Sequence, residues 1–81
     1  MITAVLDTNV LASGFAGVQR ASSTPGELIR SWHAGLYGLV LSNHIFAEIS
    51  RTFRKPYFRR RLPAKEIAQA LLLLQRQAIP T

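Results

Sequence analysis

An α/β fold, a parallel sheet flanked by helices, is predicted by three observations. Two short apolar runs, Ile2-Thr3-Ala4-Val5-Leu6 and Gly38-Leu39-Val40-Leu41, each stop at a polar residue and read as buried strands. The segment between them carries helix-start and helix-stop signals, so a helical crossover joins the strands and makes the pair parallel. A leucine-rich stretch after Pro63 supplies a further helix to cover the sheet.

Residues 2–6 form the first strand, and Asp7 stands at its C-terminal end, where open α/β sheets gather ligands. Asn9 reads as the cap of a short helix through Val10-Leu11-Ala12-Ser13, with Gly14 as its stop and residues 15–23 as an irregular connection. Thr24 then fits an N-cap, Pro25 the first helical position, and Glu27 the far side of a capping box. Leu28, Ile29 and Trp32 share a face of that helix, and Gly35 ends it. The second strand follows at residues 38–42. Ser42 caps a helix from Asn43 to about Arg54, which Pro56 does not extend. Pro63 opens the last helix, to about Gln77, with the stripe Ile67, Ala70, Leu71, Leu74 and Ala78. Leu72 and Leu73 fall off that stripe, so this helix calls for cover on two sides. Ala78-Ile79-Pro80-Thr81 reads as the start of a third strand, without which two strands make a poor sheet.

At 81 residues the chain is one small domain, of a size that buries only about 60% of its unfolded surface. Hydrophobic residues make up 48% of it, which excludes a disordered tail. There is no cysteine, so disulfide frameworks and thiolate metal sites are excluded. The apolar run at the start meets Asp7 too soon for a signal peptide or a membrane span, and the expected location is the cytoplasm. The net charge of +6 favours a polyanionic partner, and Arg51, Arg54, Lys55, Arg59, Arg60, Arg61 and Lys65 are concentrated in one segment.

Asp7 and Glu48 are the candidate chemical pair. Ile45, Ile49 and Phe53 share one face of their helix, and Glu48 falls at its edge, in the second turn after the second strand. Both carboxylates therefore lie at the C-terminal edge of neighbouring strands. Two carboxylates in one site repel unless a cation joins them, and hard divalent ions such as Mg²⁺ or Mn²⁺ suit oxygen ligands. The plainer readings are a helix cap for Asp7 and a solvated position for Glu48. His33 and His44 lack metal-site spacing and read as structural or solvated. Aspartyl-nucleophile phosphatases want a second Asp where Asn9 stands. Neither a Gly-x-Ser-x-Gly elbow nor a Walker-type loop occurs.

The stretch Val5-Leu6-Asp7-Thr8-Asn9-Val10-Leu11-Ala12-Ser13-Gly14 resembles the opening motif of PIN-domain proteins. Leu41-Ser42, Ile45 and Ala47-Glu48-Ile49 resemble the family's second motif, and Arg54-Lys55-Pro56-Tyr57-Phe58 the segment that follows it in a bacterial branch of toxin–antitoxin toxins, similar to VapC-like proteins. The resemblance implies a Rossmann-like α/β/α fold and a metal-dependent endoribonuclease. It implies Asp7 as a ligand of Mg²⁺ or Mn²⁺, Glu48 as a second acidic member, Asn9 in support and Thr8 at the strand–helix turn. It also implies an RNA substrate and a cognate antitoxin. Family members take further acidic residues from a C-terminal half, whereas no carboxylate follows Glu66 here, and Glu66 reads as a surface residue. Residues 1–81 therefore read as the N-terminal portion of a single PIN domain, incomplete, lacking the C-terminal half and inactive alone. Arg54, Lys55, Arg59, Arg60 and Arg61 are the candidate nucleic-acid contacts, with Phe53, Tyr57 and Phe58 interleaved. The alternative is a non-catalytic basic binding module for nucleic acid or antitoxin, forming a homodimer or larger assembly through its leucine-rich helix.

Overall fold

The computed structural model describes residues 2–20 and 22–81. Its centre is a three-stranded parallel sheet in the order β1-β2-β3, comprising β1 (Thr3–Ala4), β2 (Gly38–Leu41) and β3 (Ile79–Pro80). Thr3 pairs with Gly38 and Ala4 with Leu39; Val40 pairs with Ile79 and Leu41 with Pro80. The third strand expected at the end of the chain is thus present. Pro80 is tolerated because β3 is an edge strand whose outer side needs no ladder donor. Only β2 is paired on both sides, and Leu39 and Leu41 on it are buried. The first strand is shorter and more open than the apolar run suggests. Ile2 and Val5 flank an edge pairing of two residues and are 78% and 72% exposed.

Helices α1 (Thr8–Gly17) and α2 (Thr24–His33) fill the crossover between β1 and β2. The first differs from the expectation at both ends. Asp7, not Asn9, is its N-cap, and the helix runs through Gly14 to Gly17. Gly14 is buried because α2 lies against it: a Cβ there would stand 2.8 Å from the Pro25 carbonyl oxygen and collide with Ile29. A Cβ on Gly26 would likewise come within 2.7 Å of the Gly17 carbonyl carbon. These glycines permit close backbone approach, a use that local sequence does not distinguish from helix termination. The second helix begins one residue early. The Ser23 hydroxyl accepts from the Gly26 amide at 3.0 Å, so Glu27 lies beyond the capping-box position. Ile29 and Trp32 are buried, and Gly35 follows with φ +83°, which only glycine adopts without strain. Tyr37 donates to the Leu28 carbonyl at 2.7 Å, and burial pushes its phenol pKa up.

After β2 the Ser42 hydroxyl accepts from the Ile45 amide at 3.1 Å and caps α3 (Asn43–Thr52) as expected. A short helix not foreseen from the sequence, α4 (Pro56–Arg59), comes next. Pro56 ends one helix and begins another, since a first helical position needs no N–H. Helix α5 (Ala64–Gln77) follows Pro63 and buries Ala70 and Leu74. Leu72 is 45% exposed. The core is continuous from Leu11 and Phe15 on α1, through Ile29, Leu39 and Ile49, to Leu74. Helix α1 packs against both α2 and α3. Among the described residues no helix is long and apolar enough to cross a membrane.

Candidate functional site

The β1–α1 turn and the start of α3 meet at the C-terminal edge of the sheet. Asp7 follows β1 and is exposed. Its Oδ1 accepts from the Val10 amide at 2.8 Å, so the carboxylate caps α1 and sits at the positive end of that helix. Thr8, at the first helical position, is half-buried. Its hydroxyl donates to Glu48 Oε1 at 3.2 Å across a sequence separation of 40 residues. This bond joins the two segments that carry the candidate carboxylates, and parallel β1–β2 pairing is what makes it possible.

Glu48 is half-exposed, and a second neighbour reaches it from its own helix. His44 Nε2 lies 3.7 Å from the same Oε1, four residues earlier on α3. Lacking metal-site spacing, His44 reads from the sequence as solvated or structural, but its i,i+4 spacing from Glu48 places it on Glu48's face. Asn9 is exposed and forms no side-chain hydrogen bond among the described residues, so the neighbour bonded into the site is Thr8. Among the described residues no three His, Cys, Asp or Glu side chains converge on one ion. Every buried side-chain nitrogen and oxygen among them has a hydrogen-bond partner.

A deep groove lies elsewhere. It has a volume of about 560 Å³ and runs between α1, α2 and α5, lined by Phe15, Ile29, Arg30, His33, Arg61, Leu62 and Leu73 among others. Asp7, Thr8, Asn9 and Glu48 do not line it. The acidic pair is therefore an open surface site, as suits a polymeric substrate better than an engulfed small molecule.

A family model for the PIN domain matches residues 3–81. The chain belongs to the PIN-domain family. No curated protein and no solved structure matches it. The match covers the sheet, the five helices of the described residues and both candidate carboxylates. PIN domains generally use divalent metals, and the donors present in this PIN domain fit such an ion. Asp7 and Glu48 offer oxygen ligands, and among the described residues Oδ2 of Asp7 and Oε2 of Glu48 accept no hydrogen bond. Mg²⁺ is commonly held by one or two carboxylates with water completing its shell. The basic candidates Arg54, Lys55, Arg59, Arg60 and Arg61 are all exposed, and Arg61 lies over the ring of Tyr57.

Proposed function

We propose that this PIN domain is a metal-dependent endoribonuclease of the toxin class, hydrolysing RNA phosphodiesters. The observation that carries the reading is the Thr8–Glu48 hydrogen bond, which draws the β1–α1 turn carrying Asp7 and the helix carrying Glu48 to one edge. Asp7 and Glu48 would hold Mg²⁺ or Mn²⁺, with Asn9 as a polar neighbour on the first turn of α1. A bound divalent ion supplies an acidified water and neutralises charge on the phosphate. The chain's own residues do the positioning. The Val10 amide fixes one oxygen of Asp7, and the Thr8 hydroxyl fixes one oxygen of Glu48, so the other oxygen of each would be the one to take a ligand. The exposed cations of residues 54–61 attract the RNA backbone, and the same surface suits an acidic segment of a cognate antitoxin. Further carboxylates, beyond the two on this edge, are required for normal turnover.

That last requirement favours a second reading. Because no third acidic group converges on the pair among the described residues, a non-catalytic basic module binding nucleic acid or antitoxin is the alternative, self-associating through its leucine-rich helix, on which Leu72 is exposed. Calorimetric titration with Mn²⁺ and an RNA-binding assay with Mn²⁺ or EDTA separate the two. The nuclease reading expects one Mn²⁺ per chain and loss of that binding in Glu48→Gln. RNA binding without any Mn²⁺ uptake overturns it in favour of the module.

The positioning role of Thr8 has its own test. Thr8→Val keeps the shape of the side chain and removes the hydroxyl that holds Glu48. Loss of a group that orients a metal ligand typically costs about 10–100-fold in affinity, so Mn²⁺ binding is expected to weaken by at least about tenfold. An unchanged dissociation constant in the same titration would show that Glu48 needs no such support.

A further inference from the structure

An anchored cation, Arg61, lies in the turn that follows α4. Tyr57 is 51% exposed, while its neighbour Phe58 is buried. The Arg61 guanidinium carbon sits 3.6 Å from the centroid of the Tyr57 ring, and Arg61 Nη1 donates to the Tyr57 carbonyl at 2.9 Å. The Arg61 side chain is thus held by two contacts to one residue, the ring and the carbonyl of Tyr57. Phe58 meets Tyr57 edge to face at 4.9 Å. Phe58 in turn meets Phe53 at 6.0 Å, and Phe53 meets Phe15 at 6.2 Å. The exposed ring is therefore the outer rung of an aromatic series rooted in the core.

We propose that Tyr57 and Arg61 form a stacking platform for one unstacked base of a single-stranded nucleic acid, with flanking phosphates held by Arg54, Lys55, Arg59 and Arg60. The strand is RNA by the reading above, on which this inference rests. Three features select this occupant. The Arg61 guanidinium covers one face of the Tyr57 ring, so the platform offers a guanidinium plane backed by an aromatic ring, a surface on which splayed bases stack. The surrounding cations are exposed, and none pairs with a carboxylate among the described residues, so they are available to phosphates. A duplex offers no free base face, and an acidic peptide gains nothing from an aromatic ring held ready. Tyr57 then gives affinity without reading sequence, since every base has a π face.

Fluorescence anisotropy with labelled oligonucleotides tests this on the chain as it stands. Wild type is expected to bind a single-stranded RNA about tenfold more tightly than an abasic sugar–phosphate strand of equal length. Tyr57→Leu is expected to lose about the same factor for single strands, with duplex binding and the salt slope unchanged. Tyr57→Phe keeps the affinity, because the ring and not the hydroxyl carries it. Arg59→Ala with Arg60→Ala gives the opposite pattern, a shallower salt slope by about one to two units for all polyanions. Equal binding of abasic and base-bearing strands overturns the platform, and so does an equal loss for single strand and duplex in Tyr57→Leu. If wild type binds polyglutamate but no RNA, the RNA reading fails along with the platform, and the surface is an acidic-peptide site. If wild type binds RNA and Tyr57→Leu binds it equally well, only the platform fails.

Discussion

Asp7→Asn is expected to leave the fold of this PIN domain intact while weakening Mn²⁺ binding by more than about 100-fold, beyond the usual cost of losing a supporting group. The two effects separate because Asp7 has two tasks. As a cap, its Oδ1 accepts from the Val10 amide. Asparagine caps a helix about as well as aspartate, so its amide oxygen replaces that bond with little loss of stability. As the ligand proposed above, Asp7 would contribute a negative charge and a second oxygen, and an amide supplies neither to a hard cation. Asp7→Ala is the complementary variant. It removes both tasks and is expected to cost about 1 kcal/mol of stability in addition to the metal. Thermal unfolding with and without Mn²⁺ reads both quantities at once. Bound metal raises the melting temperature of wild type by mass action and is expected to raise that of neither variant. Should Mn²⁺ stabilise Asp7→Asn as much as wild type, Asp7 is a helix cap only, and the binding-module reading moves ahead.

What the sequence could reveal depended on whether the signal was local. Strand β2 and helix α3 were legible because their signals are local: an apolar run, then Ser42 three residues before the amide that it caps. The meeting of the two carboxylate-bearing segments was legible because parallel pairing fixes which ends of the strands lie together. Gly14 reads as the stop of α1 but lies inside it, because its reason for being glycine is Pro25 and Ile29 of α2, more than ten residues away. Local sequence shows a helix breaker, and only tertiary structure shows the close approach that makes a side chain impossible. Helix α4 was missed because Pro56 reads first as a stop, and its service as the first position of a new turn depends on Phe58 finding the core. His44 was set aside for want of a metal-site spacing, although four residues separate it from the candidate Glu48.

Phe53→Ala is expected to be the most damaging single truncation of this chain, at about 3–5 kcal/mol. Phe53 is 1% exposed and stands between Phe15 and Phe58, in edge-to-face contact with both. Truncation loses the buried area and leaves a cavity, and each aromatic pair adds about 0.5–1.5 kcal/mol beyond area. Folded domains are stable by about 5–15 kcal/mol, and small ones lie toward the low end. Most of the stability of an 81-residue chain is therefore at stake. Urea unfolding followed by circular dichroism measures the loss. Phe53→Leu fills part of the cavity and is expected to recover a substantial share of it, the remainder being the lost edge contacts. The same substitution reaches function, because α4 touches the core through Phe58 and so through Phe53. A variant that stays folded in the cold but binds single-stranded RNA only through its salt-dependent component would show that the Tyr57 platform depends on the aromatic series beneath it. A loss below about 1 kcal/mol would mean that neighbouring helices close over the gap, against the packing cost expected for a buried aromatic. In that case the position of α4 rests on Leu62 and the turn at Pro63 instead.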